Sequence, residues 1–341
     1  MAKQAIFGKK NILITGGAGF LGSHLCDELI KDNKIICIDN FITGSEENID
    51  HLLQNPNFIF INHNISETLD LENMKELDRF RVKFQGVQEV YNCACPTSPR
   101  HFEQNIVETA LANSFGTKNA LDIAVKYNAK FMQFSSSVVY GSRLPDSKFF
   151  KEDNIGQVNF IGPRSCYDEG KRFSETLVST YKQKFGIDAK IARIFRTYGT
   201  RMKLDDGQML PDFVFSALEN KELKIYGDEN FSSSFCYVSD VIQGILKFMQ
   251  SDEAGPINFG SDIEYKLNDV AKKVIELTDS KSKILFRDPL LFMTPLGLPD
   301  ISVARDKLNW FPIVLLEEGI QETIDYLKAH KLIIGMSSEI M

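Results

Sequence analysis

Short apolar runs alternate along the chain with stretches of helical spacing. Residues 11–16 (NILITG) form an apolar run closing on glycine, which predicts a buried strand. Residues 19–31 then place Phe20, Leu21, Leu25, Leu29 and Ile30 at helical spacing, and residues 34–39 (KIICID) form a second apolar run ending in Asp39. Strand, helix, strand in the first 40 residues implies two parallel strands joined by a crossover helix. Further strands are expected near 58–61, 88–92, 130–135 and 188–194, with helices near 105–127 and 165–185. Together these predict a Rossmann-type, doubly wound parallel α/β sheet.

Beyond residue 196 the alternation loosens. Short strands near 223–226 and 256–259 are interleaved with helices near 239–250, 267–279 and 316–328, and Pro and Gly gather at 289–299. The expected division is a first domain over 1–196, a smaller C-terminal α/β lobe over 197–330 that mainly supplies a substrate pocket, and a peripheral tail over 331–341. The charged stretch 66–83 reads as a solvated surface helix.

At 341 residues, 43% hydrophobic and 25% charged, the chain has the composition of an ordinary globular protein. No apolar run is long enough to span a membrane, and the run Ile12–Ile14 leads into a Gly-rich turn, unlike a secretory signal. A net charge of −7 without a basic block argues against a nucleic-acid or membrane-surface binder. The six cysteines make no C-x-x-C pair and the five histidines are scattered, which predicts reduced thiols, no metal site and a cytoplasmic protein. His24, on the first helix, reads as structural.

The most informative motif is Thr15-Gly16-Gly17-Ala18-Gly19-Phe20-Leu21-Gly22, between the first strand and the first helix. Gly16 permits a tight turn, Gly19 lets a pyrophosphate approach the backbone, and Gly22 lets the helix pack close to the sheet. Phe20 and Leu21 open the helix, whose free N–H groups and positive dipole end suit phosphate. Asp39, at the end of the second strand, is placed to accept hydrogen bonds from an adenosine ribose. The residues after it, Asn40 and Phe41, carry no positive charge for a 2′-phosphate, so NAD is favoured over NADP.

A second motif is Tyr167-x-x-x-Lys171. At i, i+4 both side chains share one helix face. A nearby Lys⁺ and a positive nicotinamide would lower the phenol's pKa and let it act as a base. A hydroxyl to orient the substrate oxygen is available in Ser135-Ser136-Ser137, at the carboxyl edge of the sheet where open α/β folds bind ligands.

With these motifs the chain resembles the extended short-chain dehydrogenase/reductases of the NAD-dependent epimerase/dehydratase family, and among them the UDP-glucuronate decarboxylases, or UDP-xylose synthases. The resemblance covers residues 10–328 and is carried by ACPTSP (94–99), GPRSCYDEGKR (162–172), IARIFRTYGTRM (191–202), SFCYVSD (234–240) and PDIS (299–302). It implies NAD as cofactor, a nucleotide sugar as substrate, and Ser136, Tyr167 and Lys171 as the catalytic triad. It also implies that Asp39 and Asn64 contact the adenosine and that Asn113 is an active-site residue, although the family usually has Asp at 64. Pro96, Ser98, Arg100, Ser137, Arg196, Asp212 and Tyr226 fall in the substrate half. Arg100 and His101 suit either recognition of the sugar carboxylate or a helix entrance. A homodimer is implied through helices near 105–127 and 165–185.

The family chemistry oxidises C4 of the sugar by hydride transfer to NAD⁺. Carbon dioxide then leaves β to the new ketone, C5 is protonated and the hydride returns. That sequence leans on a Glu where this chain has Val138 and on an Arg where it has Ser233. The family also has Asn at the places of Arg196 and Asp212, and Arg-Arg at Gly297-Leu298. Two lost charged hydrogen bonds to the diphosphate would cost on the order of 3–6 kcal/mol, about 10²–10⁴ in affinity, which Arg196 would partly restore and Asp212 oppose. Three functions follow: a decarboxylase-like enzyme, a 4-epimerase or 4-dehydrogenase on another activated sugar, or a binding protein that keeps NAD as a structural cofactor.

Overall fold

The structure, a computed structural model, describes residues 8–97, 104–143, 148–204, 207–288 and 296–338. Seven strands form one sheet: β1 (Asn11–Thr15), β2 (Lys34–Asp39), β3 (Phe58–Asn62), β4 (Glu89–Asn92), β5 (Lys130–Ser136), β6 (Ala189–Ile194) and β7 (Pro256–Phe259). Their order is β7-β6-β5-β4-β1-β2-β3 and every pairing is parallel. The direction of winding reverses between β1 and β4, so the carboxyl ends of these strands open the crevice where such sheets bind ligands.

Both faces of a parallel sheet are covered, which is why β1 is buried at every position. On one face Ile12, Ile14, Cys37 and Met132 pack with Leu25 and Cys26 of α1 (Phe20–Leu29). On the other, Leu13, Ile36, Val90 and Phe131 pack with Leu121 and Ala124 of α2 (106–127) and Val178 of α3 (Ser165–Phe185). α2 is α-helical at each end and a π-turn over Ala112–Gly116. β7 comes from beyond residue 196, so the C-terminal half completes the sheet as well as building the smaller lobe.

That lobe contains α4 (Met209–Leu218), α5 (Val238–Gln250), α6 (Leu267–Thr278), α7 (Ser302–Leu308) and α8 (Leu316–Ser338), with Leu223–Tyr226 paired to Ile284–Arg287. α8 runs ten residues past the expected end near 328, through much of the stretch expected to be a tail. It packs on α4 and α6. The expected surface helix over 66–83 is also corrected. The segment folds as short turns at Leu71–Asn73 and Lys75–Phe80 and one helical turn at Val82–Gln85, because Leu71, Leu77, Phe80 and Val82 all turn into the core beneath the sheet. Among the described residues no helix is long and apolar enough to cross a membrane.

Candidate active site

The Gly-rich turn folds so tightly that side chains would collide with backbone. Gly16 has φ +67°, and a Cβ there would lie 2.7 Å from the Ala94 Cα. A Cβ on Gly22 would lie 2.1 Å from the Gly16 carbonyl oxygen. Gly17, outside the predicted set, is crowded by a side chain instead, because a Cβ would stand 2.5 Å from the Cys37 Sγ. α1 starts directly after this turn, so its first N–H groups lie at the cleft lined by Gly16, Gly19, Phe20, Leu21 and Gly22.

Asp39 closes β2 at the next position along the cleft. One carboxylate oxygen accepts from the Ala18 N–H (3.0 Å) and the other from the Phe41 N–H (2.8 Å). Burial pushes the carboxyl's pKa up, and these backbone donors pull it back. Each oxygen keeps a lone pair for a ribose hydroxyl. Asn40 and Asn64 line the same end, with their side-chain oxygens turned to the N–H groups of Ile42 and Ser66. A cradle open only to glycine, a helix N-terminus and a carboxylate at the second strand fit the adenosine diphosphate half of NAD.

The cleft, about 930 Å³, continues from Asp39 past Cys95, Pro96, Ser136, Ser137 and Tyr167 to Arg164 and Arg196. Tyr167 and Lys171 share one face of α3, and the Ser136 hydroxyl stands near enough to the Tyr167 phenol to lower its pKa. The Lys171 Nζ donates to the Phe134 carbonyl (2.8 Å) and stands 5.8 Å from the centre of the Tyr167 ring. Here one expectation changes. In the protein itself the phenol's pKa lies above its ordinary value, because burial dominates and the Cys95 thiol adds to it, while Ser136 and Arg164 oppose it. The burial comes from an apolar wall: Val138 packs on Tyr167, with Cys95, Cys166 and Leu296 around them.

The substrate-side residues divide. Pro96, Ser137 and Arg196 line the cleft. Asn113 does not line it. It is buried in the π-turn of α2, where its Nδ2 donates to the Cys95 Sγ (3.1 Å) and to the Thr109 carbonyl (2.9 Å). A Cβ on Gly170 would stand 3.0 Å from that amide, so α3 carries glycine there. Asp212, in the first turn of α4, and Tyr226, on the strand paired with Ile284–Arg287, are not among the residues lining the cleft. Ser98, Arg100 and His101 lie outside the described residues.

Arg164 was not anticipated. It lines the cleft, bonds Asp168 (3.1 Å) and faces Arg196 closely enough to lower the latter's pKa. Burial is the larger cause, and together they bring the Arg196 guanidinium down to about 10. In the sequence Arg164 is marked by its place in the block GPRSCYDEGKR, one turn before Tyr167. The wall formed by Cys95 and Cys166 was equally unanticipated. His24 is structural in its contacts, with Nε2 3.1 Å from the Thr200 carbonyl oxygen. All six cysteines are free thiols. Among the described residues no cluster of His, Cys, Asp and Glu could hold a metal ion.

A fold of this topology, with a glycine cradle and a Tyr/Lys/Ser set on one cleft, is that of a dinucleotide-binding enzyme. Residues 12–260 match the NAD dependent epimerase/dehydratase family, and the chain belongs to that family, as an enzyme with NAD as its cofactor. It is 41% identical over 314 residues to UDP-glucuronic acid decarboxylase 1 of Arabidopsis thaliana, covering 92% of this chain and 68% of that protein. It is 38% identical over 319 residues to UDP-glucuronic acid decarboxylase 1 of Danio rerio, covering 93% and 72%. Among solved structures it is similar to the UDP-glucuronic acid 4-epimerase of Bacillus cereus in complex with UDP-glucuronic acid and NAD. There the TM-score is 0.80 at 27% identity, covering 94% of this chain and 99% of that one.

Proposed function

We propose that the protein oxidises C4 of a nucleotide-activated sugar, in a reaction like that of the UDP-glucuronate decarboxylases. The observation that carries this reading is the gathering of Ser136, Tyr167 and Lys171 in the same cleft as Asp39 and Arg196. The proteins of known activity that resemble the chain over most of its length add to it.

Ser136 holds the C4 oxygen and Tyr167 takes its proton. The positive charge of Lys171 near the ring favours the phenolate. NAD supplies the acceptor, and later the donor, of the hydride at C4. Pro96, Ser137 and Arg196 hold the sugar and diphosphate, with Arg196 as the cation. On a uronate, the C4 ketone accepts the electron pair as carbon dioxide leaves, and a proton must then reach C5. Val138 cannot deliver it, and Ser233 donates to the Ser234 carbonyl and is not among the residues lining the cleft. These two residues favour a second reading, a 4-epimerase or 4-dehydrogenase that leaves the C6 group in place.

The protein is a homodimer in this reading. Ile106, Val107, Leu111 and Phe115 on α2 and Phe173 on α3 expose apolar side chains on neighbouring helices, a face suited to a second copy.

The deciding experiment incubates the purified protein with NAD⁺ and UDP-glucuronate and follows product mass together with NADH absorbance. Loss of the mass of carbon dioxide supports decarboxylation. An isomer of unchanged mass supports 4-epimerisation, and stoichiometric NADH with a 4-keto product supports 4-dehydrogenation. An untouched substrate across a nucleotide-sugar panel overturns the reading.

A further inference from the structure

The spacing of Tyr167 and Lys171 continues one step further along α3. Glu175 stands at the same interval again, so the three side chains form one stripe. That stripe meets three consecutive residues of β5. Lys171 donates to the Phe134 carbonyl (2.8 Å), Ser135 Oγ donates to the Glu175 Oε1 (2.5 Å), and Ser136 stands beside the Tyr167 phenol. Glu175 is itself gripped by Arg193 of β6, the residue paired with Ser135 across the sheet. Arg193 makes two parallel bonds, Nε to Oε1 at 3.0 Å and Nη2 to Oε2 at 2.8 Å. Its Nη1 donates to the Tyr140 Oη (2.8 Å) and the Glu152 carbonyl (2.8 Å), and Tyr140 Oη donates to Asn258 of β7 (2.7 Å).

We propose that Glu175, held by Arg193, is a positioning residue that sets the catalytic Ser136–Tyr167 pair through the side chain of Ser135. Successive residues of a strand point to opposite faces. Anchoring the Ser135 hydroxyl therefore sets the rotation of the strand end and with it the direction of the Ser136 hydroxyl. A buried ion pair is weak evidence for a role in stability, since desolvation offsets most of its attraction. A bidentate pair is strong in direction, which is what a serine aimed at a phenol requires. Because Arg193 also holds Tyr140 and the Glu152 backbone, one ion pair orients the catalytic strand against both β7 and the segment leading to α3.

The proposal rests on the reading of Tyr167 as the proton acceptor, and the test separates the two. Ser135→Ala deletes only the hydroxyl link and leaves the ion pair in place. Glu175→Gln keeps the shape and removes the charge. The first readout needs no substrate: the ¹³Cζ signal of Tyr167 in tyrosine-labelled protein, assigned with Tyr167→Phe, reports the surroundings of the phenol oxygen. It is expected to move in Ser135→Ala, with the melting temperature and NAD affinity retained. The second is turnover of UDP-glucuronate, or of whichever nucleotide sugar the wild type converts. There kcat is expected to fall about 10-fold in Ser135→Ala and about 100-fold in Glu175→Gln with KM little changed, as for a misplaced catalytic group. An unmoved Tyr167 signal in Ser135→Ala overturns the proposal, as does a loss of rate matched by loss of stability or NAD binding. If Glu175→Gln fails to fold, Ser135→Ala decides. A wild type that converts no nucleotide sugar defeats the catalytic reading alone, and the Tyr167 signal still decides the positioning role.

Discussion

Val138 is buried against the ring of Tyr167, with Cys95 and Cys166 in the same wall. A carboxyl group placed there would be desolvated and would stay protonated near neutral pH, as a proton donor to C5 needs. Val138→Glu is therefore expected to raise carbon dioxide release from UDP-glucuronate by about 10-fold or more, since general acids contribute roughly 10²–10⁴. Release of labelled carbon dioxide checks it, and no gain favours the second reading.

The phosphate turn has no room at Gly22. Gly22→Ala puts a methyl group against the Gly16 carbonyl oxygen, so the turn must open. Overpacking of this kind costs about 1–3 kcal/mol, and NAD binding should weaken roughly 10–100-fold. Calorimetric titration with NAD measures this, and circular dichroism should show the sheet unchanged.

Among the described residues no carboxylate lies at ion-pair distance from Arg196, whose Nη1 contacts the Met209 Sδ at 2.9 Å. A buried cation beside a second one suits an anionic ligand. Arg196→Asn should weaken UDP binding by about 10–100-fold, the loss of one charged hydrogen bond, and leave NAD binding unchanged. Titrations with each ligand distinguish this from a general disturbance of the cleft.

On α2, Leu111 and Phe115 flank the inward-facing Asn113 and are exposed. Phe115→Glu should convert a dimer into a folded monomer, because a charge in the centre of an apolar interface loses its solvation. Sedimentation velocity reads the change. A wild type already monomeric at micromolar concentration contradicts the proposed dimer.

His24 contributes to acid sensitivity. Burial lowers its pKa below 6.5, although the Thr200 carbonyl opposes this. The unfolded chain then takes up a proton between that lowered value and 6.5 while the folded chain does not, so stability falls as pH drops through this window. His24→Gln should flatten the slope of melting temperature against pH just below 6.5, as differential scanning fluorimetry would show.

Much of this architecture can be read along the chain. Strand–helix alternation, the glycines at 16, 19 and 22, the acid closing the second strand and the Tyr167–Lys171 interval are patterns within a few residues of one another. Their geometry follows from the periods of helix and strand. The segment 66–83 misleads because its charges suggest a solvated helix, whereas four apolar residues find the core only once the sheet above them exists. Asn113, Asp212 and Tyr226 have side chains suited to a ligand, yet the π-turn, the first turn of α4 and a peripheral strand pair place them off the cleft. Arg164 meets Arg196, and Glu175 meets Arg193, across distances that no local pattern encodes. Local spacing decides which chemistry an element can present. Which elements share a cleft depends on strand order and crossovers, set by burial of the whole core at once.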